Sequence, residues 1–252
     1  YPLLFELGPL SIYSYGVLLA TAYIVGLQFA LRRSTQAGLN GQRVMDLGIF
    51  VVISALVGAK LMLFLVDIDR FISDPAALMV LLKSGGVFYG GLMLAVPGAW
   101  WYIRRHRLPL WTTCDLFAPG IALGHAVGRI GCLLAGCCYG SATELPWGIT
   151  CNSTLAAANV GTPLDIALHP TQVYEAVAEL LVLGALLVGE RRWRPFPGRT
   201  FWTYLLLYPI ARIIIEVYRG DPRGMVFDTI PTSQFLSGLI VPISVIMLIY
   251  LG

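Results

Sequence analysis

Arginine and glutamate recur at helical spacing inside one apolar stretch of this 252-residue chain. Arg212, Glu216 and Arg219 occupy positions i, i+4 and i+7, so we expect them on one helical face, with Glu216 bridging the two guanidinium groups. An arginine fork is the side chain best suited to bidentate binding of phosphate. A charge at membrane depth costs several kcal/mol unless it faces a partner or a ligand. The spacing therefore predicts either a structural ion-pair ladder or a site for an anionic headgroup.

His125, Arg129 and Cys132 repeat this spacing in a second apolar stretch. A lone histidine on an apolar helix usually has its hydrogen bonds satisfied in the core, and we assign His125 that structural role. Arg129 has no acidic residue near it in sequence, so its counter-charge has to come from another helix or from a ligand. Lys60 is a further cation within an apolar stretch, and we predict that it binds the same anionic substrate as Arg129.

Acidic and amide side chains open another apolar segment. The run from His169 to Glu175 reads HPTQVYE, and Glu179 follows one turn later. Gln172 would share a helical face with the two glutamates. We predict that these glutamates pair with Lys60, Arg129 or Arg212. His169 would lie at the start of the segment, where an imidazole can act as a base near neutral pH.

Four of the five cysteines lie close together in sequence: Cys132, Cys137, Cys138 and Cys151. Three interpretations stay open. The first is a packing role or a disulfide between Cys151 and Cys137 or Cys138, which an oxidising compartment permits. The second is a thiol nucleophile whose pKa is lowered by a nearby arginine. The third is a metal site with His169, although C-x4-C-C matches no standard zinc spacing.

Composition indicates the class of protein that holds these residues. The chain is 57% hydrophobic and 12% charged, and the usual charged share is about 25%. So few polar residues cannot cover a soluble domain, and we predict an all-α polytopic membrane helix bundle, with residues 1–252 forming a single transmembrane domain. The net charge of +3 is small and indicates no nucleic-acid partner. The first basic residue, Arg32, follows the first apolar segment, whereas a signal peptide carries its charge before that segment.

Seven apolar stretches have about the length needed to cross ~30 Å of hydrocarbon. They run roughly over residues 12–31, 46–67, 86–103, 116–138, 172–189, 201–218 and 233–250. Ten basic residues follow the first, third and fifth stretches: Arg32, Arg33, Arg43, Arg104, Arg105, Arg107, Arg191, Arg192, Arg194 and Arg199. The opposite loops hold four: Arg70, Lys83, Arg219 and Arg223. The positive-inside rule then predicts an N-terminus outside the cell and a C-terminus in the cytoplasm. The loop at about 139–171 would lie on the outer side, and Pro75–Leu82 would lie along the outer interface.

Glycine residues occur in two further patterns, a repeat in the fourth apolar stretch and a run around Tyr89. Gly120, Gly124 and Gly128 recur every four residues, a spacing that lets helices approach closely. Tyr89 stands in the run 85–91, GGVFYGG, and we predict that its neighbouring glycines leave it exposed.

Together these segments resemble the bacterial prolipoprotein diacylglyceryl transferase family over nearly the whole chain. The resemblance is carried by Tyr15-Gly16, the glycines around Tyr89, Gly128-Arg129-Ile130-Gly131 with Gly140, the run from His169 to Glu175, and Tyr208, Arg212, Glu216, Arg219 and Asp221. It implies a seven-helix protein of the bacterial inner membrane with its site at the outer leaflet. It also implies transfer of a diacylglyceryl group from phosphatidylglycerol to the thiol of a lipobox cysteine in a prolipoprotein, with no cofactor or metal. Arg129 and Arg212 would hold the phosphate, and Tyr15, Gly140 and Glu216 would belong to the site.

With the spacing arguments, the resemblance gives a predicted site. Its catalytic members are Tyr15, Tyr89, Arg129, Cys132, Cys137, His169, Arg212 and Glu216. Its substrate-binding members are Lys60, Arg129, Gly140, Gln172, Tyr174, Glu175, Arg212 and Arg219.

The chain departs from the family signature in one segment. The signature is G-R-x-G-N-F-x-N-x-E-x-x-G, and residues 128–140 read GRIGCLLAGCCYG. Cys132, Ala135 and Cys137 therefore stand in place of two asparagines and a glutamate. Tyr89 stands where the family usually has a histidine, and Lys60 where it has an arginine.

These changes predict a divergent branch, for which several functions stay open. Tyr89 or His169 could serve as the base for the acceptor thiol, with Tyr89 slightly favoured. Cys132 or Cys137 could instead be a nucleophile that forms a covalent lipid intermediate. The acceptor could differ from a prolipoprotein. The chain could also keep the fold as a non-catalytic phospholipid-binding or lipid-transport protein, or as a thiol-redox membrane protein.

Overall fold

The computed structural model describes residues 2–7, 10–74, 85–193, 195–222, 224–226 and 229–252. Its helices are α1 (Ser14–Ser34), α2 (Gly41–Val66), α3 (Ile68–Ser73), α4 (Phe88–Arg105), α5 (Leu110–Ala135), α6 (Thr154–Val160), α7 (Thr171–Arg192), α8 (Arg199–Glu216) and α9 (Thr232–Leu251). Short antiparallel pairs join β1 (Leu3–Leu7) to β2 (Leu10–Tyr13), β3 (Ile149–Thr150) to β4 (Ala167–Leu168), and β5 (Met225–Val226) to β6 (Ile230–Pro231). The predicted interfacial piece Pro75–Leu82 lies outside the described residues.

A long helix covers each predicted apolar stretch. By length and composition, five of the described helices are long and apolar enough to cross a membrane: α1, α2, α5, α7 and α9. The 18-residue helices α4 and α8 carry charged residues within that length. The structure therefore supports a mostly helical membrane protein, and the count of seven spans stays a prediction.

The outward surface of these helices is apolar. On α2, Ile53, Leu56 and Leu61 expose 54%, 52% and 51% of their surface. Soluble monomers rarely expose contiguous apolar patches of this kind, whereas a lipid-facing helix does so along its length.

Contacts within the chain divide it into two compact units, residues 31–113 and residues 1–30 with 114–252. In the unit of residues 31–113, α2 packs against α4 through glycine. A Cβ atom at Gly91 would lie 2.9 Å from the carbonyl oxygen of Ala55, and one at Gly90 would collide with Met62. These two glycines therefore serve helix packing, a role that the sequence prediction did not include. The Tyr89 side chain is 38% exposed.

In the other unit, α1 and α5 come into backbone contact. A Cβ atom at Gly120 would lie 2.5 Å from the carbonyl oxygen of Gly26, and one at Gly124 would lie 2.9 Å from that of Ala22. A Cβ atom at Gly128 would have no neighbour within 4 Å. The close approach predicted from the four-residue glycine spacing is thus confirmed at its first two positions.

The core of this unit lies between α5, α7 and α8. Ala118, Ala122, Val182, Leu186 and Tyr204 are buried together there. Asp115 of α5 fixes the start of α8, because its two carboxylate oxygens accept hydrogen bonds from Gly198 N (2.6 Å) and Phe201 N (2.8 Å). These contacts stabilise N–H groups that have no partner within α8 itself.

Candidate functional site

One buried carboxylate, Glu175 of α7, lies among three arginines of the same unit. Only 1% of its surface is exposed. Its Oε1 atom lies 2.9 Å from Arg129 Nη2 of α5 and 3.6 Å from Arg212 Nε of α8. Its Oε2 atom lies 3.2 Å from Arg219 Nη1. Residues from three separate segments therefore meet at this point, and the predicted pairing of Glu175 with Arg129 and Arg212 is confirmed.

Two further carboxylates complete the ion-pair network. Arg212 Nη2 lies 2.5 Å from Glu216 Oε2, one turn further along α8. Arg219 makes a two-pronged contact with Asp221, with both N–O distances 2.9 Å. α8 ends at Glu216, so Arg219 lies beyond the helix, and the predicted bridge from Glu216 to Arg219 stays a prediction. Both arginines contact the carboxylate of Glu175.

His125 and Glu179 hold Arg129 from the opposite side. Arg129 Nε donates to His125 Nε2 at 3.1 Å, and His125 Nδ1 contacts the buried Glu179 carboxylate. This arrangement suits a neutral imidazole that carries its proton on Nδ1, a tautomer assigned from the hydrogen bonds. The Tyr204 hydroxyl also donates to Glu179, at 3.4 Å. His125 thus has the structural role expected of it.

Arg212 keeps one donor group without a partner. Its side chain is buried, and its Nη1 atom donates to no atom of the described residues. Leaving a buried donor unsatisfied costs about 1–3 kcal/mol, and more for a charged group. A charged, buried donor beside two other guanidinium groups is suited to an anionic ligand.

The three cysteines at the end of α5 come together. Cys132 lies in the last turn of α5, and the following turn places Gly136 at φ +79° and Cys138 at φ +62°. The sulfur atoms of Cys132, Cys137 and Cys138 all lie within 4.8 Å of one another. A positive φ at a residue with a Cβ is uncommon and often marks a functional segment. All five cysteines, including Cys151, are free thiols in this structure, so the disulfide considered from the sequence is not formed.

Side chains at the start of α7 hold the cysteine turn in place. Gln172 Nε2 donates to the carbonyl oxygen of Cys137 at 2.8 Å, and Thr171 Oγ1 donates to that of Cys138 at 2.7 Å. The predicted catalytic residue Tyr15 is also nearby, since a Cβ atom at Gly131 would lie 3.5 Å from its ring. Gln172 and Tyr15 therefore border the cysteines, whereas Glu175 serves the arginines one turn along α7.

Gly140 lies where three segments of backbone cross. Its N–H donates to the His169 carbonyl oxygen at 3.1 Å, and it forms a β-bridge with Arg219. A Cβ atom at Gly140 would lie 2.5 Å from the His169 carbonyl and 2.8 Å from that of Tyr218. Gly140 is thus required for a close approach that fixes Arg219 beside α7.

His169 and Tyr174 form a second polar group at the edge of the site. His169 Nδ1 lies 3.2 Å from the Tyr174 hydroxyl, which accepts a hydrogen bond from Trp147 Nε1 at 2.8 Å. A cavity of about 630 Å³ lies against His169, Gln172 and Gly136 of the turn after α5. Its other lining residues include Tyr139, Ile149, Thr150, Cys151, Asn152 and Ser153.

The residues that meet in this unit are not the same set as the predicted site residues. Lys60 and Tyr89 belong to the unit of residues 31–113, and their predicted roles stay predictions. Cys138 and Asp221 were not among the predicted catalytic or substrate-binding residues. The Cys137-Cys138 doublet and the two-residue spacing from Arg219 to Asp221 were visible signals, but the left-handed turn at Cys138 was not.

Comparisons with known proteins show the family of this chain. The model of the prolipoprotein diacylglyceryl transferase family matches residues 2–250. The chain is 36% identical to the phosphatidylglycerol–prolipoprotein diacylglyceryl transferase of Clostridium tetani, over 94% of this chain and 92% of that protein. It is 33% identical to transferase 2 of that name in Clostridium perfringens, over 92% and 88% of the two chains. It is 32% identical to the enzyme of that name in Thermus thermophilus, over 98% and 97%. With a match over nearly its whole length, the chain belongs to the prolipoprotein diacylglyceryl transferase family.

Proposed function

We propose that this membrane protein transfers the diacylglyceryl group of phosphatidylglycerol to a cysteine thiol of a prolipoprotein, the reaction after which its relatives are named. The observation that carries this proposal is the buried arginine cluster, in which Arg212 Nη1 has no partner among the described residues. A phosphodiester is the type of ligand that such a cluster recognises, because guanidinium groups bind phosphate oxygens through paired hydrogen bonds.

The main requirement of this reaction is to stabilise the negative charge that develops on the leaving phosphate. The acceptor sulfur attacks the carbon of the diacylglyceryl group that is bonded to the phosphate oxygen. A C–S bond forms there, and the C–O bond to the phosphate breaks. The products are a thioether and glycerol 1-phosphate, and the phosphate gains one negative charge as it leaves. We assign Arg129 and Arg212 to bind this phosphate, since donors fixed in a buried site stabilise charge that develops in the transition state. Glu175 and Glu216 would hold the two guanidinium groups in position.

A thiol has to lose its proton before it can attack. His169 lines the cavity beside the cysteine turn, and we propose that it accepts this proton. The resemblance favours Tyr89, but a phenol with an ordinary pKa of about 10 is mostly protonated at neutral pH and is a poor base until it ionises. His169→Gln and Tyr89→Phe variants separate these assignments, because only loss of the base should abolish the rise in rate with pH.

We also propose a location for the site. The excess of basic residues after α1, α4 and α7 supports seven spans, with the N-terminus outside and the loop at about 139–171 on the outer side of the bacterial inner membrane. A cysteine placed at Asn152 should react with a membrane-impermeant maleimide in intact cells from which the outer membrane has been removed. One placed at Arg105 should react only after lysis. The reverse pattern would contradict the orientation.

The test of the proposed function uses labelled phosphatidylglycerol, a lipobox peptide and purified protein, with lipid attachment followed by mass spectrometry. We expect Arg129→Gln and Arg212→Gln to lower the rate by about 10²–10³-fold, as loss of one transition-state donor does in other enzymes. Arg212→Lys should also be impaired, because lysine keeps the charge but loses the planar fork.

Arg199→Gln is the matched control. Arg199 is also a buried arginine of α8, lies 13 residues before Arg212, and bonds to the Trp193 carbonyl oxygen rather than to the cluster. Thermal unfolding midpoints identify variants that lose activity through misfolding. If folded Arg129→Gln and Arg212→Gln proteins kept more than about a tenth of the wild-type rate, the arginine assignment would be wrong.

A further inference from the structure

We propose that Cys132, Cys137 and Cys138 bind one thiophilic divalent cation of the Zn²⁺ type, and that this cation takes up the acceptor thiol as its next ligand. The inference rests on the proposed function, since it names the group that activates the acceptor in that same reaction. It draws on the cysteine cluster, which the arginine mechanism leaves unused.

The spacing of the sulfur atoms is close to that of a metal site. Their separations lie within 4.8 Å. Three thiolates bound to Zn²⁺ at about 2.3 Å in tetrahedral geometry have sulfur atoms about 3.8 Å apart. Small rotations about the single side-chain torsion that positions each sulfur would bring the three thiols to this spacing. Thiolate ligands favour Zn²⁺ or Cu⁺ over Mg²⁺ and Ca²⁺, which prefer oxygen.

The turn that carries the cysteines is held by its surroundings. Gln172 and Thr171 bond to the carbonyl oxygens of Cys137 and Cys138, and Gly136 supplies the left-handed conformation that reverses the chain after α5. Such contacts to the segment that carries the ligands orient metal sites and tune their affinity. The sequence spacing C-x4-C-C, although outside the usual zinc patterns, thus gives three converging thiols because the chain turns back at Gly136.

Charge and access suit an open coordination site. The described His, Asp and Glu residues add no fourth member to the cysteine group. A catalytic zinc site likewise has three protein ligands and leaves a position for substrate. Three thiolates and one dication carry a net charge of only −1. Cys137 and Cys138 are only partly buried, so a peptide thiol has a route to the cation.

The chemistry that follows is balanced without any oxidant or reductant. The acceptor thiol coordinates the cation and loses its proton to solvent or to His169, because coordinated thiols are deprotonated. The bound thiolate attacks the glycerol carbon of the phospholipid, and the C–O bond breaks with its electron pair passing to the phosphate. The thioether product is neutral and a weaker ligand, so it leaves the cation. Zn²⁺ undergoes no redox change in this cycle.

The binding test uses full-length protein in detergent, reduced and stripped of metal with a chelator. Elemental analysis after dialysis against Zn²⁺ should give one equivalent per chain. Titration with Co²⁺ should produce a sulfur-to-metal charge-transfer band that is lost in Cys137→Ser and Cys138→Ser. Cys114→Ser is the matched control, since Cys114 lies in α5 18 residues before Cys132 and should leave the band unchanged. Absence of bound metal from the wild-type protein, or an unchanged band in Cys138→Ser, would overturn the inference.

Wild-type protein gives a second readout that does not depend on folding of the variants. Zn²⁺ should protect Cys132, Cys137 and Cys138 from maleimide while leaving the reactivity of Cys151 unchanged. A disulfide within the cluster of the active enzyme would overturn the inference, because it removes the ligands.

The acceptor step is tested by adding peptide to the Co²⁺-loaded protein. A lipobox peptide should shift the charge-transfer band, and the same peptide with serine in place of cysteine should not. If metal-stripped protein transfers lipid at the full rate, the metal inference fails while the proposed function stands. If the protein binds metal and the peptide thiol but forms no thioether from phosphatidylglycerol, the proposed function fails while the metal site stands.

Discussion

Glu175 is the residue whose charge the site depends on most, and Glu175→Gln is the substitution that tests this. The change keeps the size of the side chain and one carbonyl oxygen, so it creates no cavity. It removes the negative charge that faces Arg129, Arg212 and Arg219. Within the network formed with Glu216 and Asp221, three cations would then face two anions instead of three.

The expected cost follows from these contacts. Two unit charges about 4 Å apart attract by about 4 kcal/mol at an effective dielectric constant of about 20. Removing Glu175 also removes the desolvation penalty of its own charge, which is several kcal/mol. Loss of one partner from a buried ion pair has a net cost of about 3–5 kcal/mol, and we expect at least this value for a carboxylate with three arginine partners. Since 1 kcal/mol shifts Tm by about 2–4 °C in chains of about 150–250 residues, Tm should fall by roughly 6–20 °C.

Thermal unfolding in detergent, followed by circular dichroism, measures this fall. Glu144→Gln provides the control, because Glu144 is exposed in the loop after α5 and should shift Tm by less than about 2 °C. A double variant with Arg129→Gln should recover part of the loss, since among the described residues Glu175 is the carboxylate that pairs with Arg129. If Glu175→Gln unfolds within about 2 °C of the wild type, the buried network does not contribute the stability argued here.

Three substitutions and one control test the elements that position the site. Gly120→Ala should destabilise the protein by about 1–3 kcal/mol, because its Cβ atom would overlap the α1 backbone. Gly128→Ala should leave the stability unchanged, because a Cβ atom at Gly128 would have no neighbour within 4 Å. Equal Tm values for the two variants would refute the packing argument. Asp115→Ala should cost about 0.5–2 kcal/mol and increase amide exchange at the start of α8, as loss of an N-cap does; unchanged exchange there would show that the cap is dispensable. Gln172→Leu leaves the Cys137 carbonyl oxygen without its donor and should cost about 1–3 kcal/mol, with faster alkylation of Cys137 by maleimide as the local readout. An unaltered alkylation rate would mean that this hydrogen bond does not hold the cysteine turn.

The helices and the pairing of Glu175 could be predicted from the sequence because both depend on local pattern and charge. Apolar stretches of the right length predict helices, and an arginine without a nearby acid requires a partner from another segment. The contact between Glu175 and Arg219 could not be predicted in this way. It depends on α8 ending at Glu216, so that Arg219 turns towards α7 rather than continuing the helical face. Helix ends are the least certain feature of any sequence pattern.

The sequence left three interpretations of the cysteines open for a related reason. The spacing C-x4-C-C matches no standard zinc-ligand pattern, so spacing alone does not predict a metal site. Convergence of the three sulfur atoms depends on Gly136 and Cys138 adopting positive φ values. It also depends on hydrogen bonds from α7, 33 and 35 residues further along the chain. Neither feature has a signature in the local sequence.

Arg212 and Arg219 were both predicted to bind substrate, but their hydrogen bonds indicate different roles. A guanidinium group has five N–H donors on three nitrogen atoms. In Arg219 all three nitrogens contact a carboxylate: Nε and Nη2 contact Asp221, and Nη1 contacts Glu175. In Arg212 two nitrogens are engaged and Nη1 remains, buried and without a partner among the described residues. A phosphate oxygen can therefore bind Nη1 of Arg212, which contacts no carboxylate, whereas every nitrogen of Arg219 already contacts one. We infer that Arg219 positions Glu175 and that Arg212 meets the lipid.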